Sequence, residues 1–411
     1  MKNNKLLTNT IYLYILSIAK MVFPLITLPY LTRVLSVDMY GLVAYVKSYI
    51  SYVQLVLDFG FLLSATKDIA IARNKDSAKI EYIVGNTFAE KVFLLVFSTC
   101  ITFLISIFIP ILKNNQLFLW LYFISVGLTI FLPDYLYRGI ERMEYIAIPY
   151  MCAKAVSVFF TLILVKSDEH LLLIPILDIL GNLIAVIISA FFLKKLKIRI
   201  RINGYKEWIS DLKKSGTYFL SNFATTVFGA LTTLVVGVLL NATYIAYWSV
   251  CMQIVSAAKS LYVPITNSIY PHMVMHMDIK LVSKIRNLMS IPMALGSLLV
   301  MFASENILVI IAGENYAYAG YILKILLPVI IASFYSMLYG WPVLGAMGKE
   351  RETTISTILA ASIQILGILV IYVFGVFDLV SLAVCCGISE VTLLLIRYYL
   401  FVCYRNTNSQ R

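Results

Sequence analysis

Four lysines stand deep inside long apolar runs of this chain: Lys20, Lys47, Lys154 and Lys259. An ammonium group in hydrocarbon is costly, so each is a functional candidate by default. The chemistry that suits them is recognition of an anion. Lysine binds phosphate as a point charge, and the attraction grows where the dielectric is low. Acids share these runs: Asp58, Glu90, Asp134, Asp178 and Glu390. Of these, Asp58, Asp178 and Glu390 are candidates for carrying a coupling proton. Lys91, Lys324 and Arg397 lie nearer the ends of their runs and are expected to snorkel. The competing reading is that these charges pair across helices. Lys47 and Asp58 are about three turns apart on one helix, too far to pair directly.

Spacing adds to the case. Lys47, Ser51, Gln54 and Asp58 recur at helical intervals and share one face. Such a stripe belongs in a wet cavity or an interhelical seam, not against lipid. A second stripe, Ser249, Gln253, Ser256 and Ser260, has the same rhythm with Lys259 beside it. Ser17, Lys20, Pro24 and Thr27 share a face of the first run. Pro24 and Pro29 each remove a backbone hydrogen bond and would let that helix bend, as a gate requires.

The elements that must position these groups follow from composition. Of 411 residues, 61% are hydrophobic and 13% charged, against roughly 25% charged in soluble domains. The chain is therefore expected to be an all-α integral membrane protein. Backbone groups in hydrocarbon must bond within their own segment, which makes each run a helix. The expected spans are 11–32, 39–65, 83–110, 117–137, 146–165, 171–193, 216–240, 243–273, 288–311, 319–346, 353–375 and 378–402. Glu305 and Asn306 interrupt the ninth, and Gly340–Pro342 (GWP) marks a kink in the tenth. The run from Ile11 is too long for a signal peptide and reads as the first span.

Lysine and arginine in the connections set the orientation. Twenty-three fall on one side and three, Arg33, Lys113 and Lys166, on the other. Both termini are therefore expected in the cytoplasm of a bacterial inner membrane. The same scatter over short loops accounts for the +12 net charge without nucleic acid. The expected organisation is a six-helix lobe over 1–193, a basic cytoplasmic linker over 194–215, a second six-helix lobe over 216–402 and a tail over 403–411. The linker holds KKLKIRIRINGYKEW, and its KEWISDLKK part could form an amphipathic surface helix held by anionic lipid, although a plain topology anchor explains it too. The six cysteines sit in apolar runs and read as small buried hydrophobes. His272 and His276 stand at i, i+4 and could share a zinc with Asp278; solvated interfacial histidines are the plainer reading. No metal or cofactor is expected. No phosphate-cradling GxxxxGK[ST] loop is present either.

The pieces PLITLPYLTRVL, YG and LDFGFLLSATKDIA, within Asn9–Ala70, resemble the opening of the polysaccharide repeat-unit flippases (Wzx-type, O-antigen or capsule). PDYLYRGIERM at Pro133–Met143 and AGENYAYAGYILKIL at Ala312–Leu326 resemble later parts of that family. Ser36 stands where the family's loop motif carries glycine. The resemblance implies the multidrug/oligosaccharidyl-lipid/polysaccharide exporter fold, with two lobes around a central cavity and alternating access. It implies a substrate: an undecaprenyl-diphosphate-linked oligosaccharide moved from the cytoplasmic to the outer leaflet. Lipid-linked substrate, membrane lipids and the polysaccharide polymerase machinery are then the expected partners. A cation-coupled multidrug exporter of the same fold is one alternative, which the deep lysines disfavour. A polyprenol-dependent glycosyltransferase or polymerase is another, for which the short outer connections offer little from which to build an active site.

Overall fold

The computed structural model describes residues 2–73 and 77–408. Lys75, Arg411 and the end of the tail, 409–411, lie outside the described residues. The described chain is helical, with no strand. It begins with α1 (Lys2–Val34), α2 (Val37–Asp58), α3 (Phe61–Ala72), α4 (Ser77–Phe108) and the short α5 (Pro110–Lys113). Then come α6 (Gln116–Gly127), α7 (Asp134–Gly139), α8 (Glu144–Leu164), α9 (Leu173–Leu196) and α10 (Tyr205–Thr226). The rest comprises α11 (Thr232–Leu239), α12 (Ala242–His276), α13 (Ile279–Ala312), α14 (Ala319–Ile325), α15 (Leu327–Leu338), α16 (Glu350–Val373) and α17 (Leu379–Asn408). Two compact units divide the chain, Met1–Phe223 and Ala224–Arg411.

Among the described residues, nine helices are long and apolar enough to cross a membrane. A tenth joins them if Glu207–Thr226 and Gly229–Leu239 count as one span. Helices α2 and α12, which carry the polar stripes, are not in that set. The outward faces are apolar: on α13, Phe302 is 80% and Ile310 72% exposed. Inside, charged groups such as Glu90, Lys91, Glu390 and Arg397 are buried. This inverts the soluble pattern and is what a lipid solvent selects.

Several helices differ from the sequence expectation. The segment 39–65 is not one rod. Phe59 and Gly60 adopt left-handed φ of 33° and 78°, ending α2 and starting α3. Packing explains the break. A Cβ on Gly60 would lie 2.6 Å from the Ser215 carbonyl oxygen, and the Phe59 ring stacks on Phe219 at 4.6 Å. The chain bends there to admit α10. The segment 117–137 also breaks, through a 3-10 turn at Leu128–Phe131 and Pro133. By contrast, α13 runs unbroken through Glu305, whose carboxylate meets Lys324 at 3.5 Å. Lys324 is thus paired, while its side chain stays partly exposed. Both Pro24 and Pro29 lie within the continuous α1. The kink at GWP is present: a π-helical turn spans Tyr339–Gly345, with Gly340 at ψ −117°. Ser36 replaces glycine without strain. Its φ is −59°, and its hydroxyl caps α2 by accepting from the Met39 N–H at 3.4 Å.

Helices α8 and α9 approach unusually closely. A Cβ on Gly181 of α9 would sit 2.5 Å from the Ala153 carbonyl oxygen of α8. The two helices therefore touch backbone to backbone, as small residues permit in membranes. Gly181→Leu is expected to force them apart and to lower stability by about 2–3 kcal/mol. A thermal melt of the purified protein in detergent checks this; an unchanged midpoint would mean that the helices part freely.

Candidate functional site

The α8–α9 contact brings together the first charged cluster in the N-terminal unit. Lys154 Nζ lies 2.9 Å from Asp178 Oδ1, and the Ser157 hydroxyl donates to the same oxygen at 2.8 Å. Lys47 of α2 feels the charges of both Asp178 and Lys154. Its ammonium lies 5.8 Å from the centre of the Tyr122 ring. Lys20 of α1 sits 5.5 Å from the ring of Tyr150, one turn from Lys154 on α8.

A second group continues from the first. Lys20 acts electrostatically on Asp134, as do Lys91 and Asp58. Lys91 Nζ meets Asp58 Oδ1 at 3.3 Å and lies 5.8 Å from the Tyr135 ring. Gln54 Nε2 donates to Asp58 Oδ2 at 2.9 Å, while its Oε1 accepts from the Thr129 hydroxyl at 3.2 Å. The polar stripe of α2 is thus split. Gln54 and Asp58 join this group, Lys47 joins the first, and the exposed Ser51 bonds the Ser48 carbonyl of its own helix at 2.7 Å.

Of the four lysines here, two are paired. Lys20 and Lys47 make no ion pair or hydrogen bond among the described residues, and both are exposed. An exposed cation on a helix within an apolar run is too costly to meet hydrocarbon. The surface onto which these two open must therefore be wet. Aromatic faces beside them contribute cation–π attraction and flat apolar area.

The C-terminal unit has its own centre. Lys259 Nζ of α12 meets Glu390 Oε2 of α17 at 2.8 Å, and the Ser336 hydroxyl donates to Glu390 Oε1 at 3.3 Å. Two turns along α17, the guanidinium of Arg397 donates to the Ser336 carbonyl at 2.8 Å, Ser356 Oγ at 3.1 Å and Thr357 Oγ1 at 2.9 Å. It also packs on the kink, since a Cβ on Gly340 would lie 2.8 Å from one of its terminal nitrogens. The α12 stripe does not share one environment. Ser249 Oγ is buried without a hydrogen-bond partner among the described residues, Gln253 is half-buried and Ser256 is exposed.

Sequence reasoning misses three roles. It has Lys91 and Arg397 snorkel, yet both are buried and bonded inside their units. Arg397 follows Glu390 by seven residues, two turns on one face, which is a usable signal. It gives Glu90 no role, yet this residue is 1% exposed, and neither carboxyl oxygen has a hydrogen-bond partner among the described residues. The charges acting on it, Asp211 and Lys214, are occupied with each other at 3.1 Å. An unmade hydrogen bond of this kind costs about 1–3 kcal/mol. Glu90→Leu is accordingly expected to raise the melting midpoint in detergent by a few degrees. A lowered midpoint would reveal a partner for the carboxyl.

No group of three His, Cys, Asp or Glu residues able to hold a metal occurs among the described residues. His272 Nε2 is 4.0 Å from Asp278, and the His272 and His276 rings are 4.9 Å apart. Cys251, Cys385 and Cys386 are buried, and no disulfide joins the described cysteines.

Residues 6–277 match the family described as "Polysaccharide biosynthesis protein". The chain belongs to this family. Named relatives agree with it. A protein of Shigella dysenteriae named "Putative O-antigen transporter" is 27% identical over 382 residues, covering 90% of this chain and 94% of that protein. One of Escherichia coli (strain K12) with the same name is 22% identical over 378 residues, covering 89% and 90%. Solved structures agree in fold. An inward-facing multidrug resistance MATE family transporter of the MOP superfamily superposes with a TM-score of 0.74 at 10% identity, covering 94% of this chain and 95% of that one. The lipid II flippase MurJ, in an inward closed conformation, gives 0.72 at 12% identity, covering 96% and 87%. The family and its all-α membrane fold are those that the opening residues, PLITLPYLTRVL through LDFGFLLSATKDIA, imply.

Proposed function

We propose that this polysaccharide biosynthesis protein is a flippase for undecaprenyl-diphosphate-linked oligosaccharide repeat units. It carries them from the cytoplasmic to the outer leaflet of a bacterial inner membrane by alternating access. The carrying observation is the pair of exposed cations Lys20 and Lys47, in no ion pair among the described residues, beside Tyr150 and Tyr122. A diphosphate headgroup supplies the missing negative charge, and the rings offer faces to sugars. The paired lysines, Lys154 and Lys91, hold the aspartates that would otherwise cancel that positive charge. The names of the Shigella and Escherichia relatives support the substrate class.

The energetics suit the direction. A diphosphate diester carries about two negative charges, and moving them outward across an inside-negative membrane is favourable by roughly 4.6 kcal/mol per 100 mV. Transport of this kind makes and breaks no bond in its cargo, so the chain acts as a carrier and not as an enzyme. In this reading α2 and α12 cross the membrane with the other ten spans, and both termini face the cytoplasm. Polymerase machinery on the far side receives the product. A multidrug exporter of the same fold would need a site attractive to cations, and Lys20 and Lys47 give the opposite sign.

The test is complementation. The chain is expressed in cells lacking their own repeat-unit flippase, and surface polysaccharide is scored on a gel at verified membrane levels. Restored polymer is the expected result. Failure in every such host, together with normal outer-leaflet delivery of lipid-linked units in a deletion strain of the native host, would rule the reading out.

A further inference from the structure

Between α9 and α10 the chain runs as an extended strap across the start of α4. Its attachments are specific. The Arg199 N–H donates to Glu81 Oε1 at 3.2 Å, and the Asn203 N–H donates to Asn86 Oδ1 at 2.9 Å. The Arg201 guanidinium pairs with Glu81 at 2.9 Å and covers the Tyr82 ring. Gly85 lies directly beneath the Arg201 backbone, where any Cβ would collide with it. The strap is therefore held against the end of a membrane-crossing helix, immediately after another one.

Its sequence alternates, KIRIRI over 197–202. Successive side chains of an extended segment point to opposite sides. With the Arg201 edge on α4, Ile200 and Ile202 turn outward and are 56% and 53% exposed. Arg199, on the same side as Arg201 by that alternation, and Lys194, Lys195 and Lys197 at the end of α9 are exposed as well and make no ion pair among the described residues. Glu81, the acid that could balance them, is already used by Arg201. Apolar side chains set among free cations, pinned at the end of a span, have the composition of an interfacial membrane contact.

We propose that this strap is a binding surface for anionic phospholipid headgroups of the leaflet it borders. Ile200 and Ile202 enter the headgroup boundary, and the four cations meet lipid phosphates. The cations are spread along the strap instead of converging on one point. That suits a row of phospholipids better than one compact polyprenyl diphosphate. The strap cannot leave the interface without losing its bonds to Glu81 and Asn86, so no ordering of a free segment opposes binding. Each basic residue near an anionic surface strengthens association roughly fivefold.

Lipid retention tests this independently of transport, so failure here leaves the flippase reading untouched. The purified full chain is incubated with phosphatidylglycerol or phosphatidylcholine, and bound lipid is counted by native mass spectrometry. Wild type is expected to retain phosphatidylglycerol about tenfold over phosphatidylcholine. The variant K194Q/K195Q/K197Q/R199Q should lose that preference, while the control K280Q/K284Q/R286Q keeps it. Three results would overturn the proposal: no preference in wild type, equal loss of preference in both variants, or displacement by undecaprenyl phosphate of the phosphatidylglycerol retained through the strap. If the four-site variant fails to fold, salt decides with wild type alone. Retention that survives a rise from roughly 0.05 to 0.5 M salt, where surface charge is screened, sinks the idea.

Discussion

In cells without their own repeat-unit flippase, Lys47→Ala is expected to produce at least ~10-fold less surface polymer than wild type at equal membrane level. The magnitude follows from the charge. A cation about 4 Å from a phosphate at an effective dielectric near 20 contributes about 4 kcal/mol, and a third of that is already tenfold. Lys47 makes no hydrogen bond or ion pair among the described residues, so its removal orphans no partner inside the unit. Folding is therefore expected to survive, which makes the variant informative. Lys47→Arg keeps the sign and should retain much of the activity. Equal polymer from wild type and Lys47→Ala would leave the function standing and take Lys47 out of the path. Lys20→Ala gives the parallel measurement on α1, where the cation again lies beside a tyrosine ring and in no ion pair among the described residues.

The contrast between lysines shows how far the sequence carries. The apolar runs, the buried charges and their sign are legible, because hydrocarbon makes each polar residue conspicuous. Which charges neutralise one another is not. Asp58 shares a face with Lys47, yet its partner is Lys91, thirty-three positions away on α4. That choice depends on how α2 and α4 pack, where Tyr49 donates to Thr102 at 2.9 Å. Helical periodicity places residues on a face but says nothing of the neighbour across it. The break at Phe59–Gly60 is similar. Its apolar pattern continues from α2 into α3, and only the approach of Ser215 and Phe219 requires the left-handed turn. Arg397, near the end of the apolar run 378–402, has a sequence position from which it could reach water; the non-helical backbone at Gly340 gives its guanidinium a place inside.

These pairings separate positions that hold the unit together from positions left to meet cargo, and the Lys154–Asp178 pair tests the division most sharply. Asp178→Ala alone strands Lys154 within the α8–α9 contact and leaves Ser157 without its acceptor. Leaving these part-buried groups without their acceptor costs about 1–3 kcal/mol, a sizeable part of the stability of a typical domain. Membrane level of the variant should fall severalfold. Reversing the pair, K154D/D178K, restores opposite charges across the same contact and is expected to recover most of that level. Recovery of protein need not bring recovery of polymer. The swap turns the field that Lys47 feels from Asp178 and Lys154 end for end, placing a negative charge on α8 near Tyr150. If the headgroup passes Lys47 and Lys20, the reversed pair should fold and yet transport poorly. If the pair is a strut and no more, level and polymer should recover together.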